Sequence, residues 1–97
     1  MPKIIIVGMI YKSQTYLDFM MYGIQKYCLN IDGIDSNYVI IANDATDSIK
    51  EKLIKDNINH LIYNDSDVND YYLNRVYRAW NWGGMNADGD VLVFINS

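Results

Sequence analysis

The part of this sequence best suited to chemistry is an apolar run that ends in two polar side chains. Residues 39–42, VIIA, lead directly into Asn43 and Asp44. A short apolar run bounded by turn-forming residues is typical of a strand covered on both faces, as in parallel sheets. Ligands of such sheets bind outside the carboxyl ends of the strands. Asn43 and Asp44 are therefore candidate ligand contacts, and the Asp44 carboxylate could accept a charge-assisted hydrogen bond from a ligand.

An aromatic residue follows the first apolar run of the chain. Tyr11 comes shortly after residues 3–8, KIIIVG, and its ring could offer a flat face to a base. Because neighbouring parallel strands end at the same edge of a sheet, we expect Tyr11 and Asp44 to lie together there. The alternative is that residues 44–47 form only an Asx turn and a helix cap.

The other polar residues have simpler interpretations. Arg75 and Arg78 are predicted to form surface ion pairs, and His60 has no Cys or His partner at metal-ligand spacing. The single cysteine, Cys28, is expected on the core face of a helix. Three aspartates are predicted to form a solvated acidic loop: Asp65, Asp67 and Asp70.

A regular alternation of strands and helices positions these residues. We predict strands over residues 3–8, 38–42, 59–63 and 90–95. Helices are predicted over residues 14–28, from 47 or 48 to 55, and over 70–86. Each crossover is long enough for a right-handed parallel connection. The sequence therefore predicts a three-layer α/β/α sandwich with a mostly parallel sheet in the strand order 3-2-1-4.

Each predicted helix should bury one apolar stripe. Gly83 and Gly84 inside the last helix indicate a close approach to another backbone, since glycine is costly in a helix. The residues expected to face inward are Tyr16, Leu17, Met20, Met21, Ile24, Tyr27 and Cys28 in the first helix, Ile49, Leu53 and Ile54 in the second, and Leu73, Val76, Tyr77 and Trp80 in the third.

Composition and missing motifs limit the function classes. The 97 residues, with a net charge of −4, form one predicted domain, residues 1–97, without the basic stripe of a nucleic-acid binder. The first apolar run is too short for a signal peptide or a membrane span, so a cytoplasmic location is expected. The turn after it lacks the glycine patterns of dinucleotide sites and P-loops.

Four segments taken together resemble the N-terminal half of a family 2 glycosyltransferase with the Rossmann-like GT-A fold. They are a first strand followed by Tyr11 and a helix that opens with Tyr16-Leu17, then IANDATD, then NWG followed by ADGD, and finally VLVFINS. The resemblance covers nearly the whole chain. It implies a domain that binds a nucleoside diphosphate sugar, with transfer of the sugar to an acceptor.

The resemblance also implies roles for individual residues. Asp44 matches the aspartate that accepts a hydrogen bond from the base, commonly uracil, and Tyr11 matches the tyrosine that lines the base. Asn43 replaces the first aspartate of that pair. Arg75 falls near an arginine that some members turn toward the diphosphate. Asn96 leads into the motif that holds Mg²⁺ or Mn²⁺, whose aspartates would follow Ser97.

The expected activity is therefore sugar transfer from a UDP-sugar by a longer enzyme, of which this chain is the donor-binding half. We expect the isolated 97 residues to transfer no sugar. Two alternatives stay open: a non-catalytic nucleotide-binding module, and a flavodoxin-like or receiver-like signalling domain. The apolar last strand, residues 90–95, carries nothing to protect an open edge, so a homodimer through that strand is also expected.

Overall fold

A single parallel sheet organises the fold. The computed structural model describes residues 3–29, 31–65, 67 and 69–95. Its four strands lie in the order β3-β2-β1-β4, and every pairing is parallel. The strands are β1 (Lys3–Ile10), β2 (Asp35–Asn43), β3 (His60–Tyr63) and β4 (Val91–Ile95). The predicted fold class and strand order are confirmed.

Three helices connect the strands. Helix α1 (Gln14–Gly23) continues into a π-helical turn (Ile24–Cys28), and α2 (Asp47–Lys55) and α3 (Tyr72–Asn86) follow. Ser13 caps α1, because its Oγ accepts a hydrogen bond from the Tyr16 N–H at 3.2 Å. None of the helices in the described part of the chain is long and apolar enough to cross a lipid bilayer.

The helices cover the two faces of the sheet unequally. One face packs against α1, the π-helical turn and α2, and its fully enclosed side chains include Leu17, Ile40 and Leu53. The other face packs against α3 alone, through residues such as Val7, Ile41 and Val76. Alternate residues of β1 and β2 therefore enter different cores, as expected for strands buried on both faces. We call these sides the α1/α2 face and the α3 face.

The helices bury narrower stripes than their sequences predict. Ile54 is 71% exposed, and four further residues expected inside are also exposed. They are Tyr16, Tyr27, Leu73 and Tyr77. A sheet of four strands is too narrow to cover the full apolar width of each helix. The first-helix prediction is wrong for the two tyrosines, which flank an open groove beside α1.

Gly83 and Gly84 bring α3 close to side chains of the sheet. A Cβ atom at Gly83 would lie 3.1 Å from Cγ1 of Ile41, and one at Gly84 would lie 3.3 Å from Cζ of Phe94. The prediction that these glycines approach another backbone is wrong, because branched and aromatic side chains occupy the space instead.

Candidate functional site

The carboxyl ends of β1 and β2 bring Tyr11 and Asp44 together. Ile10 pairs with Ala42 in the strand register, so the residues that follow both strands leave the sheet side by side. The Thr46 N–H donates to the Tyr11 carbonyl at 3.2 Å and ties the two turns to each other. Tyr11 is 45% exposed. The two residues therefore share the edge at which parallel sheets bind ligands.

Asp44 ends β2 in a left-handed backbone conformation, with φ of 48°. Aspartate tolerates this conformation better than most residues. Its own N–H donates to the Tyr63 carbonyl at 2.9 Å, so Asp44 still bonds to the neighbouring strand while the chain turns toward α2. The local sequence thus fixes where the carboxylate leaves the sheet.

Two internal donors hold the Asp44 carboxylate. Oδ1 accepts from the Asp65 N–H at 2.9 Å, and Oδ2 accepts from Nη2 of Arg75 at 3.0 Å. The Asp44 and Arg75 side chains are only 14% and 20% exposed. These partners come from the loop that follows β3 and from α3, so Asp44 joins three parts of the fold. The alternative that Asp44 forms only a local Asx turn is therefore wrong, because its carboxylate bonds to residues far away in the sequence.

Arg75 is held at this edge mainly by Asp44. The hydrogen bond to Asp44 raises the pKa of Arg75, burial opposes that rise, and the charges of Asp44 and Asp65 add to it. Within the described residues, Nε of Arg75 is enclosed and has no hydrogen-bond partner. The ion pair predicted for Arg75 is confirmed, but it is largely enclosed and not a surface pair.

Asn43 lies beneath this edge, on the α3 face. It is 7% exposed, and its Nδ2 lies 3.5 Å from Sδ of Met9. Its Oδ1 is enclosed and meets no donor in the part of the chain that the structure describes. Asn43 therefore belongs to the layer that supports Asp44.

A second arginine organises the loop after β3. The enclosed Asp65 carboxylate accepts from Nη2 and Nε of Arg78 at 2.8 and 3.1 Å, and Asp70 accepts from Nη1 at 2.7 Å. The hydrogen bond to Arg78 is the main reason why the pKa values of Asp65 and Asp70 are lowered. The prediction of a solvated acidic loop is therefore wrong for Asp65, whose side chain is 0% exposed.

Ion pairing of Arg78 is predicted from the sequence, but its partners Asp65 and Asp70 are not, although the sequence carries a signal for them. Asp65 and Arg78 are 13 residues apart, at the end of one strand and in the next helix. An acidic loop that leads into a helix with two arginines three residues apart offers matched charges on one helix face. The structure joins both arginines to the same edge of the sheet.

One predicted ligand contact falls on residues that the structure does not describe. Asn96 and Ser97 lie outside the described residues. His60 begins β3 at the opposite edge, with Nδ1 2.7 Å from the Ile58 carbonyl oxygen.

The carboxylates at this edge do not fit a site for a divalent cation. Asp44 accepts a hydrogen bond from Arg75, and Asp65 and Asp70 share Arg78, so two arginines already offset most of the charge of the three carboxylates. Among residues 3–29, 31–65, 67 and 69–95, no three His, Cys, Asp or Glu side chains converge as metal ligands. The metal ligands implied by the resemblance would instead follow Ser97, away from these three aspartates in the sequence.

Comparisons with known proteins add no identification. No protein-family model, curated protein or solved structure matches this chain significantly.

Proposed function

We propose that this chain is the donor-binding half of a glycosyltransferase and that it binds the nucleotide of a UDP-sugar. The observation that carries the proposal is the Asp44 carboxylate at the carboxyl edge of the sheet, with the half-exposed Tyr11 in the neighbouring turn. A hydrogen-bond acceptor next to an aromatic face is what recognition of a nucleobase requires. The cytoplasmic location expected from the sequence is part of the same proposal.

In this proposal Asp44 recognises the base by accepting a hydrogen bond from it. Each carboxylate oxygen has two lone pairs, and each accepts only one hydrogen bond within the described residues. A second lone pair is left for N3–H of uracil. Cytosine has no hydrogen on N3, so the same carboxylate discriminates between the two pyrimidines.

Tyr11 and Arg75 support Asp44 in different ways. The half-exposed Tyr11 ring supplies stacking surface for the base, and its carbonyl anchors the turn that follows Asp44. Nη2 of Arg75 donates to the Asp44 carboxylate, so the main role that we propose for Arg75 is to orient this carboxylate. This part of the enzyme binds the donor, and the displacement at the anomeric carbon takes place with groups contributed by the second half.

Calorimetric titration with UMP and CMP tests this assignment. The wild-type chain should bind UMP at least about tenfold more tightly than CMP, a difference of about 1.4 kcal/mol. Asp44→Asn should remove that preference, because the amide can donate to N3 of cytosine and asparagine tolerates the left-handed backbone. Asp47→Asn is the matched control, since Asp47 is an exposed aspartate in the first turn of α2.

The outcomes separate base recognition from general anion binding. Equal affinities of the wild-type chain for UMP and CMP would contradict the role of Asp44. An equal gain of affinity for both nucleotides in Asp44→Asn and Asp47→Asn would show that only net charge matters, since each change removes one negative charge from an acidic chain. Circular dichroism of both variants checks that the fold is retained.

A further inference from the structure

The loop after β3 supplies one of the two donors that hold the Asp44 carboxylate. The Asp65 N–H donates to Oδ1 of Asp44 at 2.9 Å. Connecting loops are in general more mobile than the strands and helices that they join, so a backbone N–H on a loop keeps one direction only if the loop is fixed by other contacts. The position of the Asp44 carboxylate therefore depends on the groups that hold Asp65 in place.

The side chain of Asp65 is held by Arg78. Although it belongs to a loop, it is 0% exposed. Its oxygens accept from Nε and Nη2 of Arg78 at 3.1 and 2.8 Å, and its Oδ1 also accepts from the Asp67 N–H at 2.8 Å. An enclosed carboxylate that lost these donors would be costly, which favours this one arrangement of the loop. Asp65 thus turns its side chain toward α3 and its N–H toward Asp44.

Arg78 also holds the other end of the same loop. Its Nη1 donates to Oδ2 of Asp70 at 2.7 Å, and Oδ1 of Asp70 accepts from the Tyr71 N–H at 2.7 Å, just before α3 begins. One guanidinium therefore joins the first and the last aspartate of the loop to the helix. The planar guanidinium carries its donors in fixed directions, which suits two carboxylates at once.

We infer that Arg78 is a positioning residue for base recognition and that it acts on Asp44 through the Asp65 N–H. The inference rests on the proposed function, because it gives Arg78 a part in the preference for uracil. In the part of the chain that the structure describes, Arg78 forms no hydrogen bond with Asp44 itself. The connection has two steps, from Arg78 to the Asp65 side chain and from the Asp65 N–H to Asp44.

The two donors on Asp44 together fix the plane of its carboxylate. Arg75 donates to Oδ2 at 3.0 Å, and the Asp65 N–H donates to Oδ1. With only one of these bonds the carboxylate could rotate about the bond that joins it to the rest of the side chain. Hydrogen bonds weaken steeply when their angles become unfavourable, so a rotated carboxylate would bind N3–H of uracil less well. Loss of the Asp65 contact should therefore reduce the preference for UMP over CMP.

The ratio of the UMP and CMP affinities distinguishes positioning from charge and from stability. Both nucleotides carry the same phosphate group, so the loss of a positive charge changes both affinities by the same factor at neutral pH. A smaller folded fraction also lowers both apparent affinities equally. An arginine that only stabilised the fold would therefore leave the ratio unchanged.

Calorimetric titration of the Arg78→Gln variant with UMP and CMP tests the inference. The preference for UMP should fall about fivefold relative to the wild-type chain, which is the effect of about one hydrogen bond. Lys52→Gln is the matched control, since it removes one positive charge from an ion pair between α1 and α2. It should keep the wild-type preference.

Asp65→Asn tests the same connection from its other side. This change keeps the backbone N–H and the shape of the side chain but removes the carboxylate that Arg78 binds. It should lower the preference for UMP as well. Combining it with Arg78→Gln should lower the preference little further, because both changes break the same contact. Hydrogen exchange of the Asp65 N–H, followed by nuclear magnetic resonance without nucleotide, should be faster in both variants.

The outcomes separate this inference from the proposed function. A wild-type chain without a preference for UMP would contradict both. A preference that is lost in Asp44→Asn but kept in Arg78→Gln and Asp65→Asn would support the proposed function and overturn the inference. An equal fall in Lys52→Gln, or additive effects of Arg78→Gln and Asp65→Asn, would also overturn it. Circular dichroism checks the fold of each variant, and Asp65→Asn decides alone if Arg78→Gln does not fold.

Discussion

At the scale of single residues, two arginines of α3 define the shape of the candidate site. Arg75 and Arg78 lie three positions apart, so they leave the same side of the helix. Arg75 holds the turn after β2 through Asp44, and Arg78 holds the loop after β3 through Asp65. The position of the Asp44 carboxylate therefore depends on an arginine that comes 31 positions later in the chain.

Acid should destabilise this chain through the carboxylates bound to Arg78. The pKa values of Asp65 and Asp70 are lowered in the folded state, so the unfolded chain binds protons more readily. Their contribution to stability is present above the unfolded pKa of 3.8 and is lost as the pH falls through the folded values. Thermal unfolding followed between about pH 5 and pH 2 should show a falling melting temperature.

Arg78→Gln should weaken this pH dependence, because it removes the main cause of both lowered pKa values. Lys52→Gln is the control, since Lys52 pairs with the exposed carboxylates of Asp18 and Asp56 and such pairs contribute little. Melting temperatures of wild type and Arg78→Gln that fall in parallel with pH would contradict the assignment.

The residues of the site differ in how far the sequence predicts them. Asp44 and Tyr11 follow apolar runs, and the rule that parallel strands share a carboxyl edge is enough to bring them together. The burial of Asp65 could not be predicted in the same way, because it depends on a partner 13 residues away in α3. A local pattern gives the end of a strand but not the long-range partner of the side chain found there.

At the scale of the helices and strands, Gly83 sets how closely α3 approaches the sheet. Gly83→Ala should lower the free energy of unfolding, since the new methyl group meets the enclosed Ile41 side chain. Overpacking costs about 1–3 kcal/mol, and the better helix propensity of alanine returns at most about 1 kcal/mol. Urea denaturation, at a concentration where one oligomeric species is present, measures the difference.

Gly23→Ala is the matched helical control. Gly23 has φ of −65° and ψ of −43°, and its Cβ position is open. Alanine there should stabilise the chain by about 0.5–1 kcal/mol. A loss of stability of the same size at both glycines would show that packing against Ile41 does not decide the outcome.

Apolar runs in the sequence predict which strands and helices form and in what order. They predict less well where each element ends and which of its faces is buried. Strand β2 begins with polar residues, Asp35–Asn37, which pair with the start of β1 and carry no apolar signal. The inward faces of α1 and α2 were predicted too wide, since Tyr16 and Ile54 are exposed. The fraction of a helix surface that is buried depends on the width of the sheet. This width cannot be predicted from the sequence of the helix alone.

At the scale of the whole molecule, stability is concentrated in the two central strands. Ile40 and Ile41 of β2 are fully enclosed on opposite faces of the sheet, whereas β3 has only four residues, and Ile62 within it is 40% exposed. Ile41→Ala should cost about 2–5 kcal/mol, a large part of the total stability of a domain of this size. Ile62→Ala should cost much less.

Denaturant unfolding of both alanine variants measures this contrast. If Ile41→Ala and Ile62→Ala lowered the free energy of unfolding equally, stability would not be concentrated in β2. The topology behind this prediction could be deduced from the sequence, because short crossovers and right-handed connections leave few strand orders. The nucleotide ligand is predicted only through the family resemblance, since a binding surface depends on residues far apart in the chain.

The π-helical turn at Ile24–Cys28 has a consequence for how the length of this chain can vary. Such a turn closes its hydrogen bonds over one residue more than an α-helical turn does. Ile24 nevertheless stays buried, and Ser36 donates to the Cys28 carbonyl at 2.8 Å. The wider turn therefore keeps Ile24 in the core and stays hydrogen-bonded to β2.

Deletion of the exposed Gln25 should convert this turn into regular α-helix and leave the fold intact. The same deletion within α1 would rotate the residues after it by about 100° and remove their apolar side chains from the core. In evolutionary terms, the turn marks the point of the first helix at which single-residue insertions and deletions can be tolerated.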